Sequence, residues 1–265
     1  MTGYPKAERV CEMQDAETVL GVLRDRGRRG LPLNELYRQL FNPQLYKLAY
    51  GRIYANKGAM TPGADGETAD GMSLGKIDRI IDAMRHERYR FNPVRRLYIP
   101  KKNSSKTRPL GLPSWSDKLV GEVIRLLLEA YYEPSFSGRS HGFRPSRGCH
   151  TALSEVAETW TGTTWFVEGD VTDCFGSLDH ETMVKILAEK IHDNRFLRLI
   201  KQMLQAGYLR TGYGMRHSAA RRKVAWFHPC SPISICTGWT TLSRQFSYRN
   251  TPEGNAGHPT LPITG

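Results

Sequence analysis

The sequence predicts an α+β chain in which helices dominate. Apolar residues recur at helical spacing in several stretches between residues 33 and 206. Between them, residues 94–112 alternate as two strands around a polar turn. The apolar run Trp165-Phe166-Val167 is rich in strand formers and leads to an acid, Asp170. From residue 209 no helical or strand period remains, so we expect an irregular tail.

Composition indicates a polyanionic partner. The 265 residues carry a formal charge of +12, with a pI near 9.6, and nucleic acid is the commonest partner of such a chain. A basic surface without a specific partner is the alternative. The five cysteines form no C-x-x-C pair, and neither a membrane-spanning run nor a signal-peptide core is evident. These features predict a soluble, cytoplasmic protein.

The helical pattern can be followed in chain order. Residues 1–32 form an N-terminal extension, with a short helix and a mobile linker at the Arg/Gly-rich residues 24–30. Residues 33–53 read as two helices broken at Asn42-Pro43, and residues 74–89 as another. Ser114 opens a helix that runs to about Tyr131. Further helices are predicted at residues 149–160, 181–190 and 194–206, the last ended by Gly207.

The predicted hairpin has strands at residues 94–100 and 107–112, joined by the turn 101–106. Cations on both arms can converge on a phosphate chain, although a charged edge hairpin can also serve only to resist aggregation. The cations are Arg95, Arg96, Lys101, Lys102, Lys106 and Arg108.

Two other stretches carry candidate chemistry. In the loop after residue 132, the cluster H-G-F-R-P contains Phe143, Arg144 and Pro145, a mixture suited to base stacking and phosphate contact. Asp170 follows a buried strand, where a carboxylate is held firmly beside an open loop and can bind a metal ion. The alternative is that Asp170 only caps a turn.

Several motifs in register resemble the reverse transcriptases encoded by bacterial group II introns. They are Y-I-P-K-K, R-P-L-G-L-P, H-G-F-R-P, G-D-V-T-D-C-F-G-S-L-D-H, I-H-D-N-R-F-L-R-L-I and M-L-Q-A-G-Y-L, in that order between residues 98 and 209. The resemblance covers about residues 33–208. It implies a partial right-hand polymerase, with helix-rich fingers followed by the first part of the palm.

The resemblance also implies roles for individual residues. Asp170 would ligate Mg²⁺, of which such enzymes use two ions, together with the backbone carbonyl of Val171. Phe175 would pack against the sugar of the incoming deoxynucleotide. Other residues are implied to contact the triphosphate (Arg96, Lys106, Arg108) or the template (Phe143, Arg144, Pro145). Gly176 and Gly121 depart from the family pattern, in which an acid and a glutamine are common.

The tail lacks the motifs that follow in this family. Residues 209–265 contain seven Lys and Arg but one acid, Glu253, and are crowded with Ser, Thr, Pro and Gly. Read one nucleotide upstream, the same codons are compatible with family-like sequence, including a P-Q-G-G turn. We therefore expect residues 209–265 to be out of frame and disordered. A genuine basic tail that binds RNA is the alternative.

These observations leave three hypotheses for function. The resemblance implies RNA-directed DNA polymerase and maturase activity, with RNA, a DNA primer and deoxynucleoside triphosphates as partners. Because the second catalytic acid motif is absent, we expect a truncated, inactive member of the family. A non-catalytic remnant that binds RNA and a decayed gene product without function are the alternatives.

Overall fold

The computed structural model describes residues 14–56, 58–63, 65–100, 105, 107–165 and 179–209. Helices account for most of this part and a small sheet for the rest, which confirms the α+β class. The helices are α1 Ala16–Arg28, α2 Pro43–Tyr54, α3 Leu74–Arg85, α4 Trp115–Tyr132, α5 Cys149–Thr159, α6 His180–Ala188 and α7 Asn194–Gln205. The strands are β1 Val94–Pro100, β2 Thr107–Leu112 and β3 Tyr208–Leu209. No helix within these ranges is long and apolar enough to cross a membrane.

Helix α4 lies at the centre of the core. Apolar side chains occur around most of its circumference, and α1 and α2 pack against it. Leu119, Val123 and Leu127 are fully buried there. The same core takes in apolar residues of α3, α6 and α7, so it joins elements from residue 16 to residue 204.

Helix α1 belongs to this core, which differs from the mobile linker expected at residues 24–30. The helix continues to Arg28, and Val19, Leu20 and Leu23 are buried. Gly27 makes the close contact possible, because a Cβ at this position would stand 1.9 Å from the backbone oxygen of Tyr131 in α4. The Tyr131 hydroxyl donates to Leu31 O at 2.7 Å, which holds the chain just beyond α1.

Polar caps define the helix ends close to where the sequence predicts them. Ser114 Oγ accepts from Asp117 N at the start of α4, and Asn42 caps α2, whose first residue is Pro43. Asp193 caps α7 by accepting from the amides of Arg195 and Phe196. These short-range signals explain why the starts of α2, α4 and α7 agree with the predicted ones. Elsewhere the prediction differs from the structure: the first of the two helices predicted within residues 33–53 is only a short 3-10 helix, Tyr37–Phe41, and the helix predicted at residues 74–89 ends at Arg85.

The sheet has the strand order β2–β1–β3. Strands β1 and β2 form the predicted antiparallel hairpin, with Arg95 opposite Leu112 and Pro100 opposite Thr107. Strand β3 was not predicted; it pairs in parallel with the start of β1, Val94 beside Tyr208. Gly207, with φ of +74°, makes the turn between α7 and β3, and its oxygen accepts from Val94 N at 3.1 Å. The end of α7 is thereby fixed to the base of the hairpin.

Candidate nucleic-acid interface

The β1–β2 hairpin presents the first group of predicted contact residues. Arg95 and Arg96 are partly buried near its base, next to β3. The backbone of Arg108 lies opposite Ile99, but its side chain is outside the described part. Lys101, Lys102 and Lys106 also lie outside the described residues.

Arg96 is oriented by an aromatic ring. Its guanidinium carbon lies 3.9 Å from the centroid of the Tyr208 ring in β3, a cation–π contact. Tyr208 lies more than a hundred positions after Arg96 in the chain, so the sequence of the hairpin alone does not predict this contact. The stacked guanidinium keeps its edge donors, and such an edge can bind a phosphate.

The loop after α4 holds the second group, and here Arg144 faces inward. Its side chain is only 6% exposed and makes a bidentate ion pair with Glu133, with Nη2 to Oε1 at 2.8 Å. Nη1 donates to the carbonyl oxygens of Ser137 and Ser140, each at 2.7 Å. The predicted contact of Arg144 with template stays a prediction, whereas the observed geometry makes this guanidinium the organiser of the loop.

Phe143 and Pro145 face outward from the same loop. Phe143 is 50% exposed and Pro145 is exposed as well. Phe143 and Ser146 both have a φ of +57°, a conformation that side-chain-bearing residues adopt rarely. The hydrogen bonds of Arg144, which lies between them, hold this part of the loop, and the Phe143 ring is presented to solvent.

His141 fastens the start of this loop to α5. Its Nε2 lies 2.8 Å from Glu155 Oε2, and its Nδ1 lies 2.8 Å from Thr151 Oγ1. Thr151 donates its hydroxyl hydrogen to Gly148 O, so its oxygen faces the ring as an acceptor. Both imidazole nitrogens therefore have a hydrogen-bond partner, which fixes the orientation of the ring.

A buried carboxylate connects the hairpin to α4. Asp117 is fully buried and accepts from the Tyr89 hydroxyl at 2.7 Å and from Asn92 N at 3.0 Å, just before β1 begins. Burial raises the pKa of Asp117 to about 6, although hydrogen bonds from Tyr89, Ser114 and Asn92 oppose the rise. The residue positions the hairpin and does not itself reach the surface.

The residues with implied catalytic roles are not placed by the structure. Asp170, Val171 and Phe175 lie outside the described residues. Within the described ranges, no group of three or more His, Cys, Asp or Glu side chains could hold a metal ion. Asp179, which begins the last described stretch, caps α6 by accepting from the amide and hydroxyl of Thr182, each at 2.8 Å.

Comparison with protein families supplies the decisive observation. The model of the family described as reverse transcriptase (RNA-dependent DNA polymerase) matches residues 99–261. The chain belongs to the reverse transcriptase family. The match begins in the hairpin and includes both the H-G-F-R-P loop and the stretch around Asp170. It also extends into residues 209–261, where we expected out-of-frame sequence, so the frameshift stays a prediction.

Individual relatives confirm the resemblance to group II intron proteins. This chain is 49% identical over 174 residues to the group II intron-encoded protein LtrA of Lactococcus lactis subsp. cremoris. The alignment covers 66% of this chain and 29% of the relative. The chain is 45% identical over 175 residues to an uncharacterized 91 kDa protein in the cob intron of Schizosaccharomyces pombe, covering 66% and 22%. For nuclear intron maturase 1, mitochondrial, of Arabidopsis thaliana, the identity is 29% over 136 residues, covering 51% and 15%. The chain therefore spans less than a third of the length of these relatives.

Proposed function

We propose that this chain forms the fingers and the first part of the palm of a group II intron reverse transcriptase, and that it binds RNA through them. The observation that carries the proposal is the presentation of Phe143. A half-exposed ring on a backbone held by the buried guanidinium of Arg144 is a preformed platform for an unpaired base. An ordering cost on binding is thereby avoided.

The hairpin supports the same proposal from the side of the phosphates. Arg96 stacks on Tyr208, and Arg108 lies on the facing strand of the hairpin. Arginines bind phosphate oxygens through paired donors, which suits the triphosphate of an incoming deoxynucleotide or the backbone of a strand. Lys101, Lys102 and Lys106 would add positive charge in the turn.

In this proposal, the residues that would hold Mg²⁺ are Asp170 and, through its backbone carbonyl, Val171. When bound in this family, two such ions activate the attacking hydroxyl and stabilise the leaving group. Two neighbouring Mg²⁺ ions need several carboxylate oxygens, and residues 209–265 supply one acid, Glu253. We therefore expect that the 265-residue chain by itself does not extend a primer.

RNA binding can be tested with a matched pair of aromatic substitutions. Phe143→Ala removes a ring that is 50% exposed, and Tyr54→Ala removes one that is 49% exposed on α2. For a short single-stranded RNA, we expect Phe143→Ala to weaken binding by about 1 to 3 kcal/mol, the range for a stacked base, and Tyr54→Ala to leave it unchanged. Fluorescence anisotropy titrations provide the measurement. If the unaltered chain shows no RNA binding at low salt, the proposal is wrong and the hypothesis of a non-functional product gains support.

Primer extension on an RNA template tests the catalytic part separately. The purified chain should give no product with Mg²⁺ and deoxynucleotides, whereas a version with the predicted reading frame restored should extend the primer. Extension by the unaltered chain that disappears in Asp170→Ala would show that residues 209–265 complete an active site.

A further inference from the structure

Helix α7 carries a stripe of positive charge on its exposed face. Arg195, Arg198 and Lys201 follow one another at three-residue spacing, and all three are exposed. The helix contains no acidic residue between its ends, and its other face is buried in the core. With a rise of about 1.5 Å per residue, the stripe extends for roughly 9 Å along the helix axis.

Two of these cations are held in defined positions. The Arg195 guanidinium lies 5.1 Å from the centroid of the Tyr37 ring, and Arg198 forms an ion pair with Glu87 just beyond α3. Burial and the Glu87 carboxylate raise the pKa of the Tyr37 hydroxyl, while the Arg195 and Arg198 guanidinium groups oppose the rise. Two of the three cations of the stripe are therefore preorganised, one against Tyr37 and the other against Glu87.

The neighbouring segment adds further cations. Arg88 and Arg90, which follow α3, are both exposed. Arg88 pairs with Asp82, and Arg90 donates to the carbonyl oxygens of Glu87 and Tyr89. We call these two residues and the stripe the α3–α7 basic surface. It contains five cations and two paired acids, Asp82 and Glu87.

The α3–α7 basic surface carries a net positive charge. Residues 209–265 hold seven of the 38 Lys and Arg and one of the 26 acids, which leaves 31 cations and 25 acids, or +6, for residues 1–208. The α3–α7 basic surface supplies +3, half of that excess. A face on which cations outnumber acids in this way carries a net positive charge, which favours an anionic partner.

The stripe also leads toward the interface already proposed. Helix α7 ends at Gln205, and the chain turns at Gly207 into β3, which pairs with β1 beside Arg95 and Arg96. Tyr208, the first residue of β3, holds the Arg96 guanidinium. The chain thus connects the α7 cations with the base of the hairpin over a few residues.

We propose that the α3–α7 basic surface binds the phosphate backbone of structured RNA and extends the RNA-binding surface proposed at the hairpin. This inference rests on the proposed function, because it assigns a second contact surface to the same RNA partner. The surface is mostly arginine, whose planar fork matches phosphate geometry. It offers no exposed aromatic ring in the stripe, so we expect contact with backbone and not with bases.

The experiment compares two triple variants of the full 265-residue chain. Arg195→Gln, Arg198→Gln and Lys201→Gln together remove the stripe. Arg24→Gln, Arg28→Gln and Arg29→Gln remove three exposed cations from the end of α1 and give the same change in net charge. Lys201→Gln alone tests the stripe without changing the Tyr37 and Glu87 contacts, and circular dichroism checks that each variant is folded.

A folded RNA of at least 60 nucleotides and a single-stranded RNA of 8 nucleotides serve as probes, each titrated at several salt concentrations. For the long RNA, the stripe variant should bind roughly tenfold or more weakly than the α1 variant, and its log–log salt slope should fall by about 2 to 3. The loop and the hairpin suffice to bind the short RNA, so the two variants should bind it with equal affinity. Lys201→Gln should reduce the slope for the long RNA by up to about 1.

Other outcomes separate the inference from the proposed function. If the chain binds both RNAs but the two triple variants are equal, the stripe is a solvated face and only this inference fails. If Phe143→Ala also has no effect, the proposed function fails with it. If poly-glutamate competes as effectively as RNA of equal charge, the surface suits acidic protein segments and the assignment to RNA is overturned.

Discussion

The loop after α4 and the exposed face of α7 are both rich in arginine, but the guanidinium group of Arg144 in the loop is buried whereas those on α7 lie at the surface. The side chain of Arg144 is 6% exposed and makes its contacts inside the loop, to Glu133, to two carbonyl oxygens and to the ring of Phe136. Arg195 and Arg198 lie on the surface, where one stacks on Tyr37 and the other pairs with an exposed acid. A buried guanidinium pays for its desolvation only when nearly every donor is satisfied, which leaves nothing for a ligand.

The comparison teaches that the number of acceptors within reach decides what an arginine does. In the loop, the chain folds back on itself and surrounds Arg144 with carbonyl oxygens, and the outward position passes to Phe143. On α7, the helix has already satisfied its own backbone, so no free carbonyl is offered to the side chains. A loop arginine is therefore a candidate organiser, and a mid-helix arginine on an exposed face is a candidate ligand contact.

The largest expected effect comes from removing the loop organiser. Arg144→Ala leaves the Glu133 carboxylate and two carbonyls without their donor, so we expect the free energy of unfolding to fall by about 2 to 4 kcal/mol. Arg139→Ala, an exposed arginine in the same loop, should change it by less than about 0.5 kcal/mol. Urea denaturation followed by circular dichroism measures both. Equal stability of the two variants would mean that Arg144 is available for template after all.

A second, smaller effect is the pH dependence of stability that the buried Asp117 carboxyl group causes. The pKa of Asp117 in the folded chain is about 6, above its ordinary value of 3.8, because burial disfavours the carboxylate. The contribution of the protonated Asp117 to the free energy of unfolding is therefore complete below about pH 4, and it is lost as the pH rises through 6. The unfolding free energy of the wild type, minus that of Asp117→Asn, should increase by about 2 to 3 kcal/mol between pH 7 and pH 4.

Denaturation of both proteins at several pH values isolates this difference, because other titrating groups act equally in the two. Glu67, whose pKa is lowered despite its burial by hydrogen bonds from Lys76 and Ser116, has the opposite sign and cancels in the subtraction. A difference that stays constant with pH would contradict the assignment of a raised pKa to Asp117.

The smallest expected effect lies on α7. Arg198 and Glu87 are 56% and 40% exposed, so Arg198→Gln should change the free energy of unfolding by less than about 1 kcal/mol. The same variant should still weaken binding of the folded RNA. Glu87→Gln is the control, because it breaks the ion pair equally while removing a negative charge, and it should strengthen RNA binding. Destabilisation comparable with that of Arg144→Ala would remove the contrast between the two regions.

The sequence by itself determined the local features of this protein. Helix starts at Ser114 and Asn42, the turn at Gly207 and the hairpin at residues 94–112 all follow from short-range rules, since a cap or a turn involves residues only a few positions apart. The motifs that resemble a group II intron reverse transcriptase were likewise visible without a fold, and the family comparison confirms them.

Only the tertiary structure decided which of the candidate side chains face solvent and which are used internally. The tight contact of Gly27 with Tyr131 converts an expected linker into part of the core. The pairing of β3 with β1 brings Tyr208 onto Arg96, and Glu133 takes up Arg144. The physical reason is the same in each case. These contacts join residues that are distant in the chain or depend on how a loop closes, and their energies depend on burial, which no local pattern records.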